Sequence, residues 1–139
     1  MKTLGLTLVA FAALATPAFA SGAVDAAKAH IAAIGAANVT AIDADYTAAS
    51  TLQWVGGPLD GAYVGTDKIA GVWGKFTKGQ GKLATKISRI SESANPAGST
   101  VVANVVFTGK APIKVRYVMT YRAGKLVNEI WQIAPKANY

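Results

Sequence analysis

Apolar and polar residues along this chain follow two periods, helical at first and strand-like beyond Lys82. In "VDAAKAHIAAIGAAN" the residues Val24, Ala27, Ile31 and Ile34 recur at helical spacing and form a one-sided apolar stripe. Asp25 stands near the start, where a negative charge suits the helix dipole. A shorter helix is predicted next, with Thr40 as its N-cap, Asp43 three residues on, and Val39, Ile42, Tyr46 and Ala49 along one face. "TLQWV", from Thr51 to Val55, reads as a strand that stops at Gly56-Gly57-Pro58. "TDKIAGVWGKF" then predicts a third helix capped by Thr66, with Ile69, Val72, Trp73 and Phe76 at i, i+3, i+4 and i+7. Gly71 and Gly74 each weaken that helix by about 1 kcal/mol relative to alanine, tolerable where it packs closely against something. Gly79 and Gly81 are expected to end it.

Four strands follow in succession: "KLATKISRISES", "STVVANVVFTGK", "PIKVRYVMTYR" and "KLVNEIWQIA". "NPAGS", Gly109 with Pro112, and "RAGK" separate them as turns. Helices first and antiparallel strands afterwards predict an α+β domain, one curved sheet with helices on its concave side. From Ile113 to Tyr121 one alternating set is apolar and aromatic, and the other contains Lys114 and Arg116. From Val101 to Phe107 both sets are apolar, since Val102 and Val106 stand opposite Val101, Ala103, Val105 and Phe107. A strand apolar on both faces needs cover on both, so a homodimer through the outer sheet face is expected.

The first twenty residues read differently. Lys2 precedes a short apolar run, Leu4 to Ala15, and Ala18-Phe19-Ala20 has the small-x-small pattern of a signal-peptidase site. The run is too short to span a bilayer comfortably. Residues 1–20 are therefore expected to be a cleaved signal peptide and residues 21–139 a single domain, periplasmic or secreted, with no membrane insertion after cleavage. The chain has no cysteine, so neither a lipid anchor on sulfur nor a disulfide is available, and stability rests on packing. Removing Lys2 from the 14 basic side chains leaves 13 against 7 acidic ones, a net +6. That excess favours acidic partners without naming one.

"WVGGPLDGAYVGTDKIAGVWGKF" is the most unusual stretch. It contains neither GxGxxG nor GxxxxGK[ST], and Asp60 in its middle would repel a phosphate, so it is not an anion cradle. A tryptophan-bearing strand, "GPLDGAYVG", and a helix opening "TDKIAGVW" resemble the NTF2-like superfamily, in particular its SnoaL-like branch. Trp54, Gly61, Gly65, Asp67 and Ile69 carry that likeness, with Trp73 as the aromatic on the helix. Asp45-Tyr46 upstream and the final "RAGKLVNEIWQI" hairpin extend it over nearly all of residues 24–134. The resemblance implies a cone: three N-terminal helices packed on one strongly curved, mainly antiparallel sheet. Its open end would be a pocket, walled by Tyr46, Trp54, Trp73, Phe76, Tyr117 and Trp131 and taking a small apolar or aromatic molecule. Gly61 and Gly65 would let the chain swing from the first strand into the third helix.

Superfamily membership leaves activity open, since it includes isomerases, dehydratases, hydrolases and cyclases beside members that only bind or dimerise. Its enzymes use a carboxylate or histidine raised in pKa by an apolar pocket, which makes Glu129, Asp45 and His30 the catalytic candidates here. Each has a plainer reading. His30, the one histidine, lies beside the apolar stripe, where a structural role is commoner. Asp45 can be a solvated helix-face carboxylate. Glu129 shares a strand face with Trp131, buried if that face is inward and lysine-paired if it is outward. Asp60 belongs to a turn, where aspartate commonly bonds its own backbone. The acidic residue that such enzymes often carry near the end of the last strand is replaced by Ile133 and Ala134. One histidine and no cysteine leave no metal-ligand cluster, and no cofactor is expected. The lysines and arginines lack interleaved aromatics on their own face, so no nucleic-acid partner is expected either. The alternatives to a ligand-binding protein are an envelope isomerase or dehydratase using a pocket carboxylate as base, and a dimeric scaffold with no ligand.

Overall fold

The computed structural model describes residues 22–139, which form three helices and six strands. The proposed signal peptide lies outside the described residues. Helix α1 spans Ala23–Gly35 and buries Ala27, His30, Ile31 and Ile34. Helix α2 is a single turn, Val39–Asp43, and its cap is Asn38 rather than Thr40. The Asn38 side-chain oxygen accepts the Ala41 N–H at 3.1 Å, satisfying a helix-end donor. Because α2 stops at Asp43, Tyr46 reaches the core from the following turn and Ala49 is exposed.

Strand β1, Thr51–Val55, turns back into β2, Gly61–Val64, an element that the glycine-rich sequence disguises as a loop. Gly65 (φ +87°) then turns the chain into α3, Thr66–Gln80. Thr66 is the first helical residue and caps nothing, while Gly79 lies inside the helix and Gly81 ends it. Added β-carbons at Gly71 and Gly74 would meet nothing within 4 Å, so neither glycine serves close packing.

The long meander follows as β3 (Ala84–Asn95), β4 (Gly98–Thr108), β5 (Pro112–Arg122) and β6 (Lys125–Ile133). The strands lie in the order β2-β1-β6-β5-β4-β3, antiparallel except where β1 runs parallel to β6. Two irregularities bend the sheet and change which residues face inward. Between β5 and β6 the register skips Val127, so Leu126 and Glu129, three apart, both point into the core. Between β3 and β4 it skips Ser88. The result is the α+β arrangement of a curved six-stranded sheet with helices over one face. Among the described residues no helix is long and apolar enough to cross a membrane.

Packing centres on Trp131. Its ring centroid lies 4.9 Å from that of Trp54, 5.2 Å from Trp73, 5.5 Å from Phe76, 5.0 Å from Phe107 and 5.3 Å from Tyr117. On the outer face, Val102, Val118 and Ile130 line up across three strands and are half-buried. The chain covers part of that face itself. Asn104 donates to the Asn138 carbonyl at 3.5 Å, and the Lys114 ammonium stands 5.4 Å from the Tyr139 ring centre.

Candidate functional site: an ionic cluster behind an apolar cavity

Two features compete for a functional role, and a layer of aromatic rings separates them. The first is ionic. α1 carries His30 inward, the β6 bulge brings Glu129 to meet it, and the turn after α2 supplies Asp45 and Tyr46. The His30 Nε2 lies 3.0 Å from the Tyr117 hydroxyl, 3.3 Å from Glu129 Oε1 and 3.4 Å from the Tyr46 hydroxyl. Tyr117 donates its own hydroxyl proton to the same Glu129 oxygen. Trp73 Nε1–H donates to the Tyr46 hydroxyl at 2.7 Å. The other imidazole nitrogen, Nδ1, is 3.4 Å from Asp45 Oδ2, close enough for charge attraction though not aligned as a hydrogen bond. Thus the structure brings together all three catalytic candidates, His30, Asp45 and Glu129, and the β6 face bearing Glu129 is the inward one.

Burial alone would drive His30 toward its neutral form, but the Asp45 and Glu129 carboxylates overcome it and lift its pKa from 6.5 to about 9. At neutral pH the group is an imidazolium beside the Asp45 and Glu129 side chains, with its own ring fully buried. An imidazolium can give a proton but cannot take one, so His30 is no general base at neutral pH. Tyr46 and Tyr117 are held well above the usual phenol range, first by burial and then by the Glu129 charge. Of the cluster's members only Asp45 meets solvent appreciably, with its side chain 38% exposed. Glu129 Oε2 and Trp131 Nε1 have no hydrogen-bond partner among the described residues. No group of three or more His, Cys, Asp or Glu side chains there is arranged to hold a metal ion.

The second feature is a cavity of about 660 Å³ at the end of the cone, between the β1–β2 turn, the last turns of α3, the start of β5 and the end of β6. Trp54, Phe76, Leu59, Ile113 and Ile133 make its apolar wall, with Pro58, Pro112 and Pro135 at the edges. Lys75, Lys114 and Gln80 are its polar lining residues. Of the six aromatic residues expected to wall a pocket, Trp54 and Phe76 line this cavity. Tyr46, Trp73, Tyr117 and Trp131 lie deeper, packed as core or bonded to the ionic cluster. None of His30, Asp45 or Glu129 reaches the cavity lining. Leu59, Ile113, Ile133 and Lys75 carry no sequence signal of this role, because they come together only through the sheet's curvature. Asp60 behaves as a turn aspartate, its Oδ2 accepting the Gly56 N–H at 2.7 Å.

No family model matches the sequence, and no curated protein is detectably similar to it. Solved structures do resemble the fold. An NTF2-like protein from Pseudomonas putida superposes with a TM-score of 0.67 at 13% identity, over 78% of this chain and 82% of that one. An NTF2-like protein from Burkholderia xenovorans gives 0.62 at 18% identity, over 83% and 86%. A ketosteroid isomerase-like protein from Erwinia carotovora gives 0.62 at 22% identity, over 81% and 94%. At such identities the likeness establishes the NTF2-like fold and leaves the activity to the site itself.

Proposed function

We propose that this protein is an exported NTF2-like domain of the SnoaL-like branch that binds a small apolar or aromatic molecule at the end of its cone. One observation carries the reading: the cavity of about 660 Å³ walled by Trp54, Phe76 and three aliphatic side chains. That volume lies within the roughly 300–1,000 Å³ range of small-molecule sites, and an apolar wall with few polar groups is their usual make-up. The ionisable residues that could perform acid–base chemistry sit behind the Trp131 and Trp73 rings, out of reach of a molecule in the cavity. Export rests on the Lys2, Leu4–Ala15 and Ala18-Phe19-Ala20 pattern, and a homodimer on the aligned Val102, Val118 and Ile130 of the outer face.

A thermal-shift screen of a small-molecule library on residues 21–139 tests the reading, because a ligand that binds only the folded state raises the melting temperature by mass action. Hits should quench or shift tryptophan fluorescence, since Trp54 is in the wall. A complete absence of hits up to millimolar concentration would leave the dimeric scaffold as the better account.

A second reading, an isomerase or dehydratase with Glu129 as base, draws support from the unpartnered Glu129 Oε2 in a fully buried site. A ketosteroid isomerase-like protein among the structural neighbours fits it. It requires the Trp131–Trp73 layer to part for the substrate. Activity on an enolisable ketone that Glu129→Gln abolishes would establish this reading over simple binding.

A further inference from the structure

We infer that the ligand of this cavity carries a negative charge beside its apolar body, and that Lys75 is the group that recognises it. The inference rests on the binding reading above and concerns the chemistry of the occupant. Two of the cavity's lining residues are cations, Lys75 on α3 and Lys114 on β5, and no carboxylate lines it. Lys78, Lys110 and Lys136, all exposed, stand within two residues of lining positions Gly79, Pro112 and Pro135.

The opposing charges near the cavity are few. Asp60 follows the lining residue Leu59 and is the one carboxylate close by in sequence, but it does not itself line the cavity, and its Oδ2 is turned to the Gly56 N–H at 2.7 Å. Asp67 begins the same helix as Lys75 and lies about 12 Å along its axis. The C-terminal end of α3 contributes about half a negative charge, and Lys78 stands in that last turn to offset it. The local field therefore stays positive. Among the described residues the ion pairs all involve His30, so neither lining lysine is neutralised by a carboxylate. Lys114 lies against the Tyr139 ring on the outer face, leaving Lys75 as the cation placed to meet a ligand. An apolar wall would hold either a neutral or a charged molecule by burial alone. The lining lysine favours the one whose anionic end stays at the rim while its rings or chain enter.

The experiment compares three molecules that differ only at one end: 2-naphthylacetate, 2-naphthylacetamide and 2-naphthylethylammonium, titrated calorimetrically into the protein. The carboxylate should bind about five-fold or more tightly than the amide, the scale of one partly exposed charge pair, and the ammonium should bind weakest. Raising the salt should narrow the gap. Lys75→Gln, at an exposed helix position, should keep the melting temperature while reducing the carboxylate preference to within about two-fold. Lys75→Arg should retain the preference. Equal binding of acid and amide, or a preference unchanged in Lys75→Gln, overturns this inference and leaves the cavity as a neutral binding site. If none of the three binds, the cavity reading falls and this inference with it.

Discussion

The buried imidazolium makes stability depend on pH in a window where few other groups titrate. His30 titrates near 6.5 when unfolded and near 9 when folded, so the folded state holds its proton more tightly. Below about pH 6.5 both states are protonated and the full benefit is present. Between 6.5 and 9 the unfolded chain loses its proton while the folded chain keeps it, and stability should fall by about 1.4 kcal/mol per pH unit. The whole window is then worth about 3 kcal/mol, a large part of the 5–15 kcal/mol typical of a domain. Tyr46, Tyr117 and Tyr121 are also held above their ordinary value of 10, first by burial, and would lower stability further once unfolded tyrosines ionise. Measurements should therefore stop near pH 9.5. Urea unfolding at closely spaced pH values gives the slope directly. His30→Gln should be less stable at pH 6 and should flatten the profile between 6.5 and 9. A flat wild-type profile, or an equal slope in His30→Gln, would refute the reasoning.

Other outcomes follow from particular residues. Gly71→Ala and Gly74→Ala should each raise stability by about 0.5–1 kcal/mol, because a β-carbon meets open space at both and alanine is the better helix former; thermal unfolding reads this. Trp54→Ala should cost about 3–5 kcal/mol of stability as a nearly buried ring, and should weaken ligand binding beyond that loss if the cavity is the site, as titration of a screened ligand would show. Val102→Arg should turn a dimer into a monomer, and a wild type that sediments as a monomer at micromolar concentration removes the outer-face interface. Mass spectrometry of exported protein should find Ser21 at the N-terminus; an uncleaved chain in the membrane fraction refutes the signal peptide.

The fold was legible in the sequence wherever periodicity was clean. The four-strand meander, the Ile69–Val72–Trp73–Phe76 stripe and "TLQWV" all form as the spacing predicts. β2 was not legible, because Gly61 to Val64 is only four residues long between turn-forming glycines, too short to show a period, and forms by pairing with β1. The cap at Asn38 was obscured by Thr40, another capping type two residues later with Asp43 three residues beyond it. At the site, residue type singled out His30, Asp45 and Glu129, and the fold places the three together. Their meeting depended on the Val127 bulge, and a register irregularity leaves no mark on alternation. The depth of Trp131 relative to Trp54 likewise depends on sheet curvature, which pairs no residues that the sequence places side by side.

The parallel pairing of β1 with β6 has a consequence for how this molecule comes into being. The strand that flanks β1 opposite β2, pairing Thr51 with Asn128, is the last one in the chain. One of the two carboxylates that face His30, Glu129, arrives on that strand too, 99 residues downstream. A growing chain lacking β6 has an unpaired edge on β1, another on β5, and a histidine left with Asp45 as its counter-charge. Closing such distant contacts carries a loop-entropy cost before any of them stabilises the structure, so folding must wait for the final hairpin. Removal of β6 should therefore unpair β1 and β5 together and leave no stable folded remnant, which circular dichroism of the truncated chain would check.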